Sequence, residues 1–402
     1  MMAGTSVLLH SSPAGCDGIM SAALIAFPLL RLGRLELGRG LRALRPGPAP
    51  SGLVVTAMVE VPESVSEPQY AWDVAWADAV RQAGELGADR RTAQALAAGA
   101  GRARTDGTRV VVAAHAEALL ARWLPAGAAA SSVRVGPLPH LLEVAAAAAR
   151  RPAYVVVLAD RDGAAVIAHA AGDEHPARRF PVGVRPGAQR DPHPDRPPAL
   201  HHGERHVTGS EPESGGGPAA EFIAARVTEA AGSVGAHIAL GAGDRHILDA
   251  VSEHLPGSLG PITAIASGPV AGEDDDQLSA EIGAALDEIT ARAIAAVGDM
   301  VAGSEPAAVR GLADVAEQLT EQQVAVLLVA ADITRDSAGS KYRIGNRPTE
   351  FGVGNSASGI QVPLEAGLTW AALHQDAIVA QLPDRTGALA GQPAAALLRR
   401  GR

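Results

Sequence analysis

Cysteine and aromatic residues are scarce in this chain of 402 residues. The single cysteine, Cys16, excludes a disulfide framework and thiolate metal cages, and it is typical of a protein from a reducing cytoplasm. Aromatic residues make up only 3% of the chain, and alanine, which buries little area, supplies much of the 47% hydrophobic fraction. We therefore expect cores of Val, Leu and Ile in α/β layers, divided among two to four domains.

Catalytic and cofactor motifs are also lacking. The sequence contains no Gly-x-x-x-x-Gly-Lys-Ser/Thr, no Gly-x-Ser-x-Gly, no His-Glu-x-x-His and no Cys-x-x-Cys. The run Gly241–His246 lacks the third glycine of a dinucleotide-binding turn, so we interpret it as a plain turn. Five histidines between His175 and His206 lie in a Pro-rich stretch that offers a metal ion little rigid support. We expect no cofactor and no metal site.

A membrane-spanning run and a basic net charge are missing as well. The apolar run from Ile19 to Leu30 is interrupted by Pro28, is too short to span a bilayer and has no Lys or Arg before it. We expect residues 1–34 to be a poorly ordered extension outside the fold, and we expect no membrane partner. The formal net charge of −10 argues against a dedicated DNA-binding protein, but not against one basic segment.

Helix-type and strand-type patterns alternate through the rest of the chain and predict three α/β domains, each a mixed sheet with packed helices. The predicted domains are an N-terminal domain (35–149), a middle domain (150–270) with a long loop (180–217), and a C-terminal domain (271–402). Further predictions are a helix over Ala116–Trp123, a hairpin of Ala153–Ala159 with Ala164–His169, helices over 277–299 and 307–320, a polar stretch with little periodicity over Asp332–Ser358, and a short terminal helix after Gly387.

The stretch from Phe180 to Gly217 differs from both of its neighbours. It has no apolar periodicity and is dense in Pro, Gly and His, and a loop of this length inside a domain is usually functional or disordered. Between Arg178 and His206, six arginines face three acidic residues, which gives a local charge of +3. The stretch therefore predicts a polyanionic partner, and its Arg and His donors suit a phosphate backbone.

Four features follow one another in an order that matches a known family. They are Arg151–Ala164, the His-rich loop, Gly243–His246 with the helix end Leu255-Pro256, and Leu382–Ala388. In this order and spacing, residues 35–400 resemble the bacterial relatives of archaeo-eukaryotic peptide-chain release factors. The group that they resemble is the actinobacterial one that includes Balon-type ribosome hibernation factors. The resemblance implies a three-domain release factor-like architecture in a cytoplasmic protein.

The resemblance also implies the ribosome as a partner. Such proteins enter the A site, with the first domain at the decoding centre, the middle-domain loop at the peptidyl-transferase centre, and the C-terminal domain against partner factors such as an elongation factor. In true release factors a Gly-Gly-Gln tip positions water on the peptidyl-tRNA ester. This chain has no Gly-Gly-Gln; its loop contains Gly187-Ala188-Gln189, where the Cβ of Ala188 hinders close backbone approach.

Our leading hypothesis is a non-hydrolytic factor that binds the A site of idle ribosomes in hibernation or stress. The residues expected to contact ribosomal RNA are Arg185, Gly187, Ala188, Gln189, Arg190, His201 and His202. One alternative is a peptidyl-tRNA hydrolase acting in ribosome rescue, with Gln189 as the catalytic residue. The other is a non-ribosomal interaction protein whose loop is disordered.

Overall fold

The structure is a computed structural model of the chain. It describes residues 31–45, 53–61, 67–104, 106–160, 163–172, 176–183, 216–267, 275–303, 307–333, 342–345, 350–353, 359–383 and 387–399. Several sheets with helices packed against them confirm the predicted α/β class.

The N-terminal domain is a four-stranded antiparallel sheet with the strand order β3-β2-β1-β4. Its elements are α1 (Arg39–Ala43), β1 (Val54–Glu60), α2 (Pro68–Glu85), α3 (Arg90–Ala98), β2 (Thr108–Ala114), β3 (Glu117–Leu124), β4 (Ser132–Gly136) and α4 (Leu142–Ala149). Trp72 and Trp76 of α2 lie one helical turn apart and pack, with Leu96 of α3, against one face of the sheet.

The predicted helix over Ala116–Trp123 is wrong, because this segment is the edge strand β3. Its sequence favours a helix by residue propensity alone, but β2 pairs with it from Thr108↔Leu124 to Ala114↔Glu117. His115 and Ala116 form the two-residue turn between the strands, with φ angles of 50° and 67°. Pairing along the whole strand overrides the local helical preference.

The predicted N-terminal extension, residues 1–34, includes residues that belong to the fold. Residues 1–30 lie outside the described part of the chain, but residues 31–34 belong to the fold. Leu32 is buried, and the N–H of Gly33 donates a hydrogen bond of 3.0 Å to the carbonyl of Ala149. A Cβ at Gly33 would lie 2.0 Å from the carbonyl oxygen of Ala148, so only glycine fits this close contact.

The middle domain is a five-stranded sheet with the order β7-β6-β5-β8-β9. Its elements are β5 (Tyr154–Ala159), β6 (Gly163–His169), β7 (Arg178–Gly183), α5 (Gly216–Val234), β8 (Ala239–Gly243), α6 (Arg245–Glu253) and β9 (Thr263–Ser267), and α7 (Asp275–Ala302) follows. Helices α5 and α6 cover the face that carries Val155 and Val157. Leu286 and Ile289 of α7 cover the opposite face. The pairing of β5 with β6 confirms the predicted hairpin.

Both ends of the predicted loop 180–217 are wrong by a few residues. Residues 180–183 lie in β7, which pairs with β6, and Gly216 and Gly217 are the first residues of α5. Pro181 obscures the strand in the sequence, because proline is tolerated in strands mainly at sheet edges, and β7 is an edge strand. The predicted turn Gly241–His246 is instead the end of β8 and the start of α6.

The C-terminal domain contains a four-stranded sheet with the order β10-β16-β11-β15 and a three-stranded sheet with the order β13-β12-β14. Its elements are β10 (Ala308–Arg310), α8 (Leu312–Thr320), β11 (Val324–Ala330), β12 (Tyr342–Ile344), β13 (Phe351–Val353), β14 (Ile360–Val362), α9 (Leu364–His374), β15 (Ile378–Leu382) and β16 (Ala394–Leu398). Helix α7 confirms the helix predicted over 277–299.

Three predictions for this domain are wrong. The segment 307–320 begins with β10 before α8 starts. The polar stretch Asp332–Ser358 contains β12 and β13, which are three residues each and too short to show periodicity. The expected terminal helix is a single 3-10 turn, Gly387–Leu389, followed by β16, whose Ala-rich sequence pairs between β10 and β11.

The N-terminal and C-terminal domains share one hydrophobic core. Met58 and Leu142 from the first domain belong to the same buried cluster as Leu319 and Trp370 from the last. A buried carboxylate lies at the same junction. Glu365 Oε1 of α9 lies 3.4 Å from His140 Nδ1 and 3.6 Å from Arg134 Nη1.

Candidate functional site

Four strands of the middle-domain sheet end at the same edge. β5, β8 and β9 are parallel to one another, and β6 is antiparallel to both β5 and β7. It follows that β5, β7, β8 and β9 point the same way and that only β6 runs against them. In open α/β sheets, ligand sites form at the carboxyl edge of like-directed strands.

The segment 184–215 starts and finishes at this carboxyl edge. It leaves from the end of β7 and re-enters the fold at the start of α5. Only residues 235–238 separate the end of α5 from the start of β8, so α5 must run from the carboxyl edge towards the amino edge. The sheet and α5 thus hold both ends of a 32-residue segment at one place on the molecule.

Apolar contacts fix the two elements that carry the segment. Phe180 of β7 packs against the core that includes Ile223 and Val227 of α5. Arg178 and Arg179 are exposed on β7. They are two of the six arginines of the basic stretch, and they lie at the start of β7, towards the amino edge of the sheet and away from the end where the segment leaves.

The carboxyl edge also carries polar residues from β5, β8 and α6. Asp160 follows β5, and Asp244 caps α6, its Oδ1 accepting a 2.9 Å hydrogen bond from the N–H of His246. Gly243 has a φ of 113°, and a Cβ there would lie 1.9 Å from the carbonyl oxygen of Ala159. This glycine therefore allows β5 and β8 to approach each other where the edge begins.

Phe222 is exposed, although the apolar pattern of the sequence predicts that it shares one stripe of the helix with Ile223 and Val227. It is 49% exposed on α5, whereas Ile223 beside it is buried. The guanidinium of Arg226 lies 5.5 Å from the centre of the Phe222 ring, and Arg226 also pairs with Glu229 at 2.6 Å. The i, i+4 spacing of an aromatic residue and an arginine is the sequence signal for this cation–π pair.

The predicted RNA-contacting residues lie outside the described part of the chain. They are Arg185, Gly187, Ala188, Gln189, Arg190, His201 and His202. Their contacts and roles, including the role of Gln189 in a hydrolase, stay predictions. The structure shows where the segment that contains them is attached.

Within the described ranges, no three or more His, Cys, Asp or Glu side chains lie together in a group that could hold a metal ion. In the same ranges no helix is both long and apolar enough to cross a membrane. The described part of the carboxyl edge thus carries Asp160, Asp244 and the exposed Arg245 beside the ends of β5 and β8.

Residues 153–305 match the model of a family described as bacterial archaeo-eukaryotic release factor family 2. This middle part of the chain is similar to a release factor-like family. The match begins just before β5 and ends just after α7, so it contains the whole five-stranded sheet, the segment 184–215 and the long helix behind the sheet. It confirms the family predicted from the order of the sequence features.

Solved structures of archaeal proteins are similar to this chain at low identity. Archaeoglobus fulgidus Pelota is 13% identical, with 90% of this chain and 92% of that chain covered and a TM-score of 0.34. The archaeal translation termination factor aRF1 is 12% identical, with 90% and 97% covered and a TM-score of 0.20. Archaeal Pelota from a model of ribosome-bound Pelota and ABCE1 is 12% identical, with 91% and 96% covered and a TM-score of 0.37. No curated protein sequence matches the chain.

Proposed function

We propose that this release factor-like protein binds the A site of idle ribosomes, in the manner of Balon-type hibernation factors, without hydrolysing peptidyl-tRNA. The observation that carries the proposal is the family match over residues 153–305. The matched region contains the sheet edge that holds both ends of the segment 184–215. Release factors act on the ribosome through the corresponding middle domain, so the same surface of this chain would face ribosomal RNA.

The segment 184–215 is the part that we assign to the peptidyl-transferase centre. Arg185 and Arg190 would contact phosphates, and His201 and His202 would add hydrogen-bond donors, which need no fixed geometry to gain from the negative charge of RNA. Gly187, Ala188 and Gln189 would lie at the tip. Because Ala188 carries a Cβ where release factors have the second glycine, the tip is less able to bring its backbone onto the ester.

The other two domains would contact the remaining partners. The N-terminal domain would face the decoding centre, and the C-terminal domain would contact an elongation factor. The protein would act in the cytoplasm without a cofactor.

Co-sedimentation with purified 70S ribosomes at low and high salt tests the proposal. We expect the wild type to sediment with vacant ribosomes and to dissociate as salt rises, since phosphate contacts release counterions. Arg185→Gln/Arg190→Gln should weaken this association, while Arg81→Gln/Arg292→Gln, which removes two exposed arginines from α2 and α7, serves as the matched control. Wild-type protein that stays in the supernatant at low salt would refute the ribosomal function and leave the non-ribosomal alternative.

The hydrolase alternative has one observation in its favour, the glutamine retained in Gly187-Ala188-Gln189. Release of labelled peptide from stalled ribosomes separates the two functions. We expect no release above the uncatalysed rate by the wild type. Release by the wild type that Gln189→Ala abolishes would show that the protein is a peptidyl-tRNA hydrolase.

A further inference from the structure

The segment 31–45 is strongly basic. It contains five arginines and a single acidic residue, Glu36, in a chain with a formal charge of −10. Its leucines point inwards: all of them are buried against the shared core or the neighbouring α7 cluster. Its arginines alternate with these leucines, and Arg34, Arg39, Arg42 and Arg45 are exposed. We call these four side chains the basic strip.

Contacts within the fold hold the basic strip in place. Arg39 and Arg42 lie one turn apart on α1, and the Nε of Arg42 donates to the carbonyl of Leu37 at 3.1 Å. Arg42 Nη2 pairs with Asp376 Oδ1 at 2.6 Å, which fastens the strip to the C-terminal domain. Arg45 Nη1 donates to the carbonyls of Arg42 and Leu44, both at 3.1 Å. These contacts hold the guanidinium groups of Arg42 and Arg45 at the surface.

Further positive charge lies beside the strip. Arg399, at the end of β16, donates to the carbonyl of Gln375, the residue that precedes the partner of Arg42. His374 lies on the same side, because the charges of Arg42 and Arg45 both lower its pKa, after burial as the main cause. Asp376 pairs with Arg42, and Glu36 lies within the segment, so these two carboxylates offset only two of the charges of Arg34, Arg39, Arg42, Arg45 and Arg399.

We propose that the basic strip is a second RNA-binding surface, which contacts the phosphate backbone of structured RNA. Guanidinium groups present paired donors that match phosphate oxygens. Because the chain as a whole is negatively charged, RNA is attracted only to local basic surfaces such as this one. A bilayer is a poorer partner, since the leucines that would anchor the segment in lipid are buried in the core. The strip lies in the N-terminal segment, so it extends the proposed function to a surface outside residues 184–215.

The test is the salt dependence of binding, measured with a 30-base-pair RNA duplex and with 70S ribosomes. Each phosphate contact contributes roughly 0.7–0.9 to the slope of log affinity against log salt. We therefore expect Arg39→Gln/Arg45→Gln to lower the slope by about 1.5 with both probes. Arg81→Gln/Arg292→Gln removes the same charge from exposed helical ion pairs and should leave the slope unchanged. Circular dichroism would check that both variants are folded.

The possible outcomes separate the basic strip from the proposed function. If Arg39→Gln/Arg45→Gln binds the duplex with the reduced slope, and the wild type does not bind ribosomes, the basic strip is supported and the ribosomal function is refuted. Ribosome binding with equal slopes for wild type and Arg39→Gln/Arg45→Gln overturns the strip and leaves the ribosomal function standing. Binding to phosphatidylserine vesicles but not to the duplex also overturns the strip.

Discussion

At the scale of single residues, His374 makes the stability of the fold depend on pH. Burial lowers its pKa, and the charges of Arg42 and Arg45 act in the same direction. Its Nδ1 lies 3.0 Å from the carbonyl oxygen of Trp370, a contact that a neutral ring can make by donating. The folded state therefore favours the neutral form of this side chain at the junction of α1 and α9.

The lowered pKa predicts a loss of stability in mild acid. In the unfolded chain histidine binds a proton near a pKa of about 6.5, whereas folded His374 binds it only at lower pH. The stability that His374 contributes is thus fully present above the pKa of the unfolded chain. It is lost as the pH falls towards the pKa of the folded state. We expect the melting temperature of the wild type to fall between about pH 7.5 and pH 5.5, and to fall less in His374→Gln. His246→Gln, at an exposed position, is the control and should behave as the wild type does. An equal fall in all three proteins would contradict the assignment.

At the scale of elements, the β2–β3 hairpin carries conformational strain. Both turn residues, His115 and Ala116, have positive φ, which glycine and asparagine tolerate better than alanine does. Ala116→Gly should therefore stabilise the protein by about 0.5–1 kcal/mol in urea unfolding. Ala118→Gly, two residues into β3, should destabilise it by a similar amount, because glycine weakens a strand interior. If neither substitution stabilises the protein, or if both do, the turn is not strained.

The segment between β7 and α5 should be dispensable for folding. The residues that fix its two ends, Phe180 on β7 and Ile223 on α5, lie outside it and pack into the middle-domain core. We expect deletion of residues 185–206 to leave the far-UV circular dichroism and the melting temperature within a few degrees of the wild type. A melted middle domain would mean that the deleted residues belong to the core.

The sequence predicts elements well where their pattern is long and locally consistent. The hairpin β5–β6 carries an Asp-Gly turn between two apolar runs, and α7 is long enough to show helical periodicity. It predicts poorly where strand pairing overrides residue propensity. β3 and β16 are rich in Ala and Leu and favour helices, but β3 pairs with the preceding strand β2, and β16 pairs with β10 and β11 from earlier in the chain.

The candidate site is also predictable from the sequence only in part. Local composition is sufficient to identify the basic, Pro-rich segment and its neighbours. It cannot show that β7, β5 and β8 end at one edge, because that depends on which strands are parallel. The basic strip is missed for a related reason. The apolar run before it suggests an extension, while only the fold shows that Leu32 and Leu35 are buried.

At the scale of the whole molecule, the first and last domains form one unit through their shared core. Glu365 of α9 is buried beside Arg134 and His140, so Glu365→Ala would leave two basic groups at the junction without this carboxylate. We expect a loss of stability on the order of 3 kcal/mol. Hydrogen exchange should become faster at Val112 and Leu327 alike, although they lie in different domains. Faster exchange in the C-terminal domain alone would show that the two domains unfold separately.

The central claim concerns where the molecule binds, and a cryo-EM map of the protein on vacant 70S ribosomes tests it most directly. We predict density in the A site, with the carboxyl edge of the middle-domain sheet towards the peptidyl-transferase centre and residues 184–215 against ribosomal RNA there. The N-terminal domain should lie at the decoding centre. Density outside the A site, or a middle domain whose carboxyl edge faces away from the peptidyl-transferase centre, would contradict the proposed function.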